Sequence, residues 1–77
     1  MSSIERYLKN KPENYLKSIV DDLLAFEEDG ILPRTSTADE VLRNVFGKTY
    51  ETNRVQFLNM LAKETFKLVT KKYFGLL

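Results

Sequence analysis

Paired carboxylates are the first side chains in this sequence whose spacing could support chemistry. Asp21 and Asp22 form one pair, and Glu27 and Glu28 form another. Two carboxylates that converge on one point can bind magnesium or act as an acid and a base. Neighbouring residues on a helix diverge by about 100°, however, so neither pair closes on a single site. We therefore expect no metal site and no acid–base catalysis from these residues.

The composition excludes most other catalytic chemistries. The 77 residues contain no Cys and no His, which removes thiolate nucleophiles, imidazole bases, disulfides and nearly all zinc sites. The segment 47–49, with the sequence GKT, lacks the upstream glycine and the preceding strand of a phosphate-binding loop. We expect a non-enzymatic protein without catalytic residues, cofactor, metal or small-molecule substrate.

A polar and basic cluster around Gly47 could instead contact nucleic acid. Arginine and lysine bind phosphates or guanine edges, asparagine and glutamine pair with adenine, and threonine donates to phosphate oxygens. Further along the chain, a lysine row at i, i+4 spacing could follow a phosphate backbone. The candidate nucleic-acid contacts are Arg43, Lys48, Thr49, Asn53, Arg54, Gln56, Lys63, Lys67 and Lys71.

Other features of this region weigh against DNA binding. A compact helix-turn-helix needs a small residue about four positions before the turn glycine, and Arg43 occupies that position. The net charge of +1 also gives little long-range attraction. Residues 1–40 carry five Lys and Arg against nine Asp and Glu, and residues 41–77 carry seven against two. This asymmetry fits a nucleic-acid face, but it also fits an acidic half and a basic half that pack side by side. The lysine row likewise fits a solvated helix face.

Apolar side chains outside the main stripe of the last predicted helix suggest a protein interface. Exposed apolar patches often mark binding surfaces. Either the short first helix covers these side chains, or they contact a partner, for which a two-fold homodimer is the natural alternative. The candidate interface residues are Phe57, Met60, Phe74, Leu76 and Leu77.

The elements that must position these residues are helices. Apolar residues recur at helical period over residues 12–29, 37–46 and 50–74, and a short helix is predicted at about 3–9. Pro12 suits the first position of the second helix, and Gly30 and Gly47 suit helix ends. Ser36 and Thr37 offer alternative N-caps, and the latter would form a capping box with Glu40.

These helices predict an all-α fold, a small bundle that forms one domain over residues 1–77. On the last helix, the predicted core face carries Val55, Leu58, Leu61, Ala62, Thr65, Phe66, Val69 and Tyr73, with the lysine row opposite. The predicted core consists of Leu16, Ile19, Val20, Leu23, Val41, Leu42, Val45, Leu58, Leu61, Phe66 and Val69.

The sequence therefore favours a small helical interaction module, a regulator, inhibitor or adaptor that binds another protein or itself through a helix surface. The alternative is a small DNA-binding regulator that uses a helix-turn-helix-like unit around residues 37–74. The first residues lack the pattern of a signal peptide, and no apolar run is long enough to span a bilayer. We expect a cytoplasmic protein with a protein partner and no membrane contact.

Overall fold

The computed structural model describes residues 3–71 and folds them into five helices. These are α1 (Ser3–Leu8), α2 (Glu13–Asp29), α3 (Thr37–Phe46), α4 (Lys48–Thr52) and α5 (Arg54–Val69). No strand occurs within residues 3–71. The predicted all-α architecture is confirmed, and the short first helix lies where the sequence places it.

Helix α2 begins one residue later than predicted and ends where predicted. Pro12 is extended, with φ −70° and ψ 164°, so it is the N-cap and Glu13 is the first helical residue. At the other end, Gly30 adopts φ 70° and its N–H donates to the carbonyl of Phe26 at 2.7 Å. Glycine reaches this left-handed conformation without the steric cost that a Cβ would impose.

Helix α3 uses Ser36 as its cap and does not form the Thr37–Glu40 capping box. The Ser36 hydroxyl accepts from the backbone N–H of Asp39 at 3.3 Å. Thr37 and Glu40 are engaged elsewhere, because the Thr37 hydroxyl lies 2.8 Å from that of Ser18 and Glu40 accepts from Tyr15. Tertiary partners on α2 therefore decide between the two caps.

The prediction of one helix over residues 50–74 is wrong. Two helices, α4 and α5, occupy this region, and the backbone leaves helical geometry at Asn53, with φ −154° and ψ 67°. Side chains here compete with helix propagation. Thr52 donates to the carbonyl of Thr49 at 2.8 Å, and the Asn53 amide donates to Gln56 at 2.6 Å. Beyond Val69, a π-type turn runs through Lys71, and residues 72–74 lie outside the described part of the chain.

All five helices and the α2–α3 loop contribute side chains to the core, and on α5 the buried residues differ from those predicted. Its members are Ile4, Leu8, Leu16, Ile19, Leu32, Ala38, Val41, Leu42, Tyr50, Leu58 and Leu61. Val20 and Val69 are only half-buried, and Leu23 and Val45 pack at its margin. Phe66, predicted as core, is 75% exposed, and Val55 is 58% exposed.

The physical reason is a rotation of α5 about its axis. Thr65 is buried and Phe57 and Leu68 pack against the core, together with Leu58 and Leu61. At 100° per residue, this face lies about 60° from the one predicted. The rotation carries Phe66 out of the core.

Candidate functional site

A cluster of charged side chains around Asp39 fixes α3, α4 and α5 relative to each other. Asp39 is fully buried and accepts a hydrogen bond from the Tyr50 hydroxyl at 2.6 Å. It also forms ion pairs with Arg43 at 2.8 Å and with Arg54 at 3.2 Å. Arg54 further donates to the carbonyl of Leu32 at 3.1 Å. A buried carboxylate is stable only when paired and hydrogen-bonded, and both conditions are met here.

The Asp39 cluster, defined as Asp39, Arg43, Tyr50 and Arg54, links three helices through one buried carboxylate. Burial raises the pKa of Tyr50, and the hydrogen bond to Asp39 raises it further, whereas Arg54 lowers it. The phenol thus stays protonated and serves as a donor. Arg43, Tyr50 and Arg54 all direct donor groups toward this one carboxylate.

This cluster changes the interpretation of the predicted nucleic-acid contacts. Arg43 and Arg54 point toward Asp39, and the Arg54 side chain is only 30% exposed. Asn53 and Gln56 are paired with each other on the surface. A helix-turn-helix interpretation requires Arg54 to project outward with Asn53, and the structure does not place it so.

The remaining predicted basic residues lie on exposed surface. Lys48 and Thr49 are exposed on α4. Lys63 borders a depression with Met60 and Glu64, and Lys67 and Lys71 border another that also contains Glu5 and Glu64. Acidic side chains therefore interrupt the lysine row, which reduces its attraction for a phosphate backbone.

Two of the predicted interface residues, Phe57 and Met60, lie within the described part of the chain. The Phe57 ring packs on Phe46 with centroids 4.7 Å apart, and on Tyr50 edge-to-face at 6.5 Å, so it contributes to the core. Met60 is 41% exposed and lies beside Phe46 and Ile4 in a depression of about 430 Å³. Phe74, Leu76 and Leu77 lie outside the described residues.

A larger depression lies elsewhere, between α2 and α5. This α2–α5 groove has a volume of about 630 Å³. Its lining is mostly apolar, with Glu27, Asn59 and Thr65 as polar members, and comprises Val20, Leu23, Leu24, Phe26, Glu27, Leu58, Asn59, Ala62, Thr65 and Phe66. Leu24 is 56% exposed and Phe66 is 75% exposed, so two large apolar side chains stand open to solvent on one surface.

The groove arises because both helices carry apolar stripes wider than the monomer buries. On α2, the buried residues are Leu16 and Ile19, and the stripe continues through Val20 to Leu24 on one flank. On α5, it continues from Leu58 through Ala62 to Phe66. Both excess flanks line the same groove.

Sequence reasoning missed this site because it assigned Val20, Leu23 and Phe66 to the core and did not recognise that Leu24, in the apolar stripe of α2, is exposed. The width of the stripes was the available signal. Residues from Leu61 to Phe66 cover about 140° of the α5 circumference, which exceeds the face that one neighbouring helix layer covers.

Thr65 is the polar group of the groove that lacks a partner. Its side chain is 1% exposed, and its hydroxyl has no hydrogen-bond partner within residues 3–71. An unsatisfied buried hydroxyl costs about 1–3 kcal/mol. The hydrogen bonding of polar groups in the groove is therefore less complete than in the Asp39 cluster.

The structure and the comparisons assign no chemistry to this surface. Residues 3–71 hold no group of three acidic side chains arranged to bind a metal ion. Over the same residues, no helix is both long and apolar enough to cross a bilayer. No protein-family model, curated protein or solved structure matches the chain.

Proposed function

We propose that the chain is a non-enzymatic interaction module that binds a helix of a protein in the α2–α5 groove. The observation that carries the proposal is the pair of excess apolar flanks, which leave Leu24 and Phe66 exposed on the two sides of one groove. Exposed apolar surface of this kind marks binding sites. A cytoplasmic location and a regulatory role, as inhibitor or adaptor, belong to the same proposal.

The shape of the groove suits an amphipathic helix. Helix-in-groove recognition uses apolar anchors at i, i+3 or i+4 and i+7, which enter a cleft between two helices. Removing one large apolar side chain from water contributes about 1.5–3 kcal/mol. Leu24 and Phe66 together therefore contribute about 3–6 kcal/mol. A micromolar complex requires roughly 8 kcal/mol after the cost of association, so the rest of the groove must contribute as well.

DNA binding is supported less well. Its best candidate residues, Arg43 and Arg54, are engaged by Asp39. Lys48 and Lys63 remain available, but phosphate contacts alone give weak, salt-sensitive and sequence-independent binding. The DNA-binding alternative stays a prediction that no contact in the structure favours.

Site-specific photo-cross-linking tests the interaction proposal. Benzoylphenylalanine replaces Phe66 in one purified variant and Ile31 in a matched control. Ile31 is 67% exposed but does not line the groove. Both variants are irradiated in host-cell extract, and products are identified by mass spectrometry. A protein cross-linked only from position 66 is then purified and titrated with the unlabelled chain.

The expected result is a micromolar complex that Leu24→Glu weakens at least tenfold and Ile31→Glu leaves unchanged. Equal products from both positions, or no product from position 66 with any protein including the chain itself, would contradict the proposal.

A further inference from the structure

We infer that helix α5 has two positions in the folded chain, and that Arg54 is the latch that holds it in the observed one. When Arg54 is released from Asp39, α5 rotates by about 60° about its axis and packs an alternative apolar face that includes Phe66. Because Phe66 lines the α2–α5 groove, the latch regulates the site of the proposed function. This regulatory consequence rests on the proposed function, whereas the rotation is a property of the chain alone.

Helix α5 carries two apolar faces of similar content. The observed face includes Phe57 and Leu68, which pack against the core. Rotation by about 60° would replace them with Val55 and Phe66, which are 58% and 75% exposed in the observed position. Each face therefore brings one phenylalanine and one aliphatic side chain to the core, and hydrophobic burial discriminates poorly between them. The two faces share Leu58, Leu61 and Thr65.

Polar contacts of Arg54 decide between the two faces. Arg54, in the first turn of α5, donates to Asp39 at 3.2 Å and to the Tyr50 hydroxyl at 3.3 Å. It also donates to the carbonyl of Leu32 at 3.1 Å. Arg54 lies at the centre of the observed face, so the rotation carries it away from all three acceptors. Asp39 keeps Arg43 and Tyr50 as partners when Arg54 is released, so the buried carboxylate remains paired.

A joint at Asn53 lets α5 rotate independently of α4. The backbone leaves helical geometry at this single residue, with φ −154° and ψ 67°, and α4 ends directly before it. The Asn53 amide donates to Gln56 at 2.6 Å, so the side chain of the joint is held by α5 and moves with it. Small rotations of packed helices are a common switching motion, and residues at element ends absorb the change in dihedral angles.

The rotation changes the groove on one side only. Phe66 and Ala62 line the groove from α5, and Leu24 lines it from α2. When α5 rotates, the Phe66 ring moves toward the core, whereas Leu24 stays exposed. A partner helix would then lose one of its two large apolar contacts. The rotated chain therefore binds this partner more weakly than the latched chain, because a ligand favours the position that it binds better.

Fluorine NMR of the full chain labelled with para-fluorophenylalanine tests the rotation while both phenylalanines stay in place. The change in chemical shift between H₂O and D₂O increases with the exposure of each ring. In the wild-type chain, Phe66 should show a larger isotope shift than Phe57, whose ring packs on Phe46. In Arg54→Gln this order should reverse. Global unfolding would raise both isotope shifts, so a reversal reports rotation and not loss of structure.

Arg43→Gln is the matched control, because Arg43 also pairs with Asp39 but lies on α3. This variant should lower stability without reversing the order of the two isotope shifts. Val55→Leu provides a second measurement, because it adds apolar surface to the alternative face alone. It should raise the urea midpoint of the Arg54→Gln chain and leave that of the wild-type chain nearly unchanged. The comparison also serves where Arg54→Gln is only partly folded.

An unchanged order of isotope shifts in folded Arg54→Gln would overturn the inference, and so would a reversal in Arg43→Gln as well. Unfolding of Arg54→Gln that Val55→Leu does not rescue would also overturn it, because the alternative face would then be unable to pack.

Photo-cross-linking from position 66 in the wild-type and Arg54→Gln chains separates the rotation from the proposed function. Reversed isotope shifts together with loss of a partner cross-link in Arg54→Gln would support both. Reversed isotope shifts without a partner cross-link in either chain would retain the rotation and reject the proposed function. A partner captured equally by both chains, without reversal, would retain the proposed function and reject the rotation.

Discussion

Replacing Asp39 with asparagine should destabilise the fold far more than the same change at an exposed ion pair. Asp39 is fully buried and holds Tyr50, Arg43 and Arg54. The substitution keeps the shape of the side chain but removes its charge. It also replaces one acceptor oxygen with a donor NH₂ that faces the existing donors. Glu51 forms the control pair, with Arg34 at 2.7 Å, and both side chains are substantially exposed.

The magnitude follows from burial. Breaking a buried ion pair costs about 3–5 kcal/mol, because one charge remains uncompensated. Here the side chains of Arg43 and Arg54 are 49% and 30% exposed, so water recovers part of the loss. We expect Asp39→Asn to cost about 2–4 kcal/mol, which lowers the melting temperature by roughly 10–30 °C in a domain of this size. Glu51→Gln should leave stability nearly unchanged, since exposed pairs contribute little.

Urea unfolding followed by circular dichroism at 222 nm measures both variants under the same conditions. A single core of this size rarely provides more than about 3–5 kcal/mol, so Asp39→Asn could be largely unfolded without denaturant. In that case the comparison is made in a stabilising osmolyte. An unfolding midpoint for Asp39→Asn that equals that of Glu51→Gln would refute the claim that the cluster holds the helices together.

Two further predictions concern stability. Burial raises the pKa of both Tyr15 and Tyr50, and hydrogen bonds to carboxylates raise it further, so the folded state favours the neutral phenols. Their contribution to stability is fully present below the unfolded-state pKa of about 10 and is lost as pH rises through the higher folded-state values. Unfolding free energies measured from pH 8 to 12 should therefore fall above pH 10. The fall should be less steep in the double variant Tyr15→Phe, Tyr50→Phe. Leu61→Ala should lower the free energy of unfolding by about 2–5 kcal/mol because Leu61 is fully buried. Leu23→Ala should lower it less, because Leu23 is half-buried at the groove. Equal urea midpoints for the two variants would contradict this ranking.

The sequence was sufficient to predict features that depend on local chemistry. Helical periodicity predicted α2 and α3, and the conformational freedom of glycine predicted their ends at Gly30 and Gly47. The break at Asn53 was not predictable, because Thr49, Thr52 and Asn53 are all competent caps and nothing local ranks them. The choice depends on Tyr50, whose ring must reach the buried Asp39.

Long-range contacts account for the errors at the site. The role of Asp39 was not predicted, because the sequence does not show that Tyr50 and Arg54 converge on it. The rotation of α5 was missed for the same reason. Periodicity defines the width of an apolar stripe, but the neighbouring elements decide which part of it is buried.

The Asp39 cluster explains why the structure tolerates an exposed Phe66. Turning α5 by about 60° toward the predicted face would bury Phe66 and gain about 1.5–3 kcal/mol. The same rotation would swing Arg54, at the first turn of α5, away from Asp39 and from the carbonyl of Leu32. Separating this partly exposed charge pair costs about 2–4 kcal/mol, as argued above for Asp39→Asn. The rotation would also move Leu61, which lies at the edge of the predicted face, from the centre of the core to its margin. The larger cost decides the orientation, so the charged cluster at one end of α5 determines which apolar flank remains available to a partner at the other.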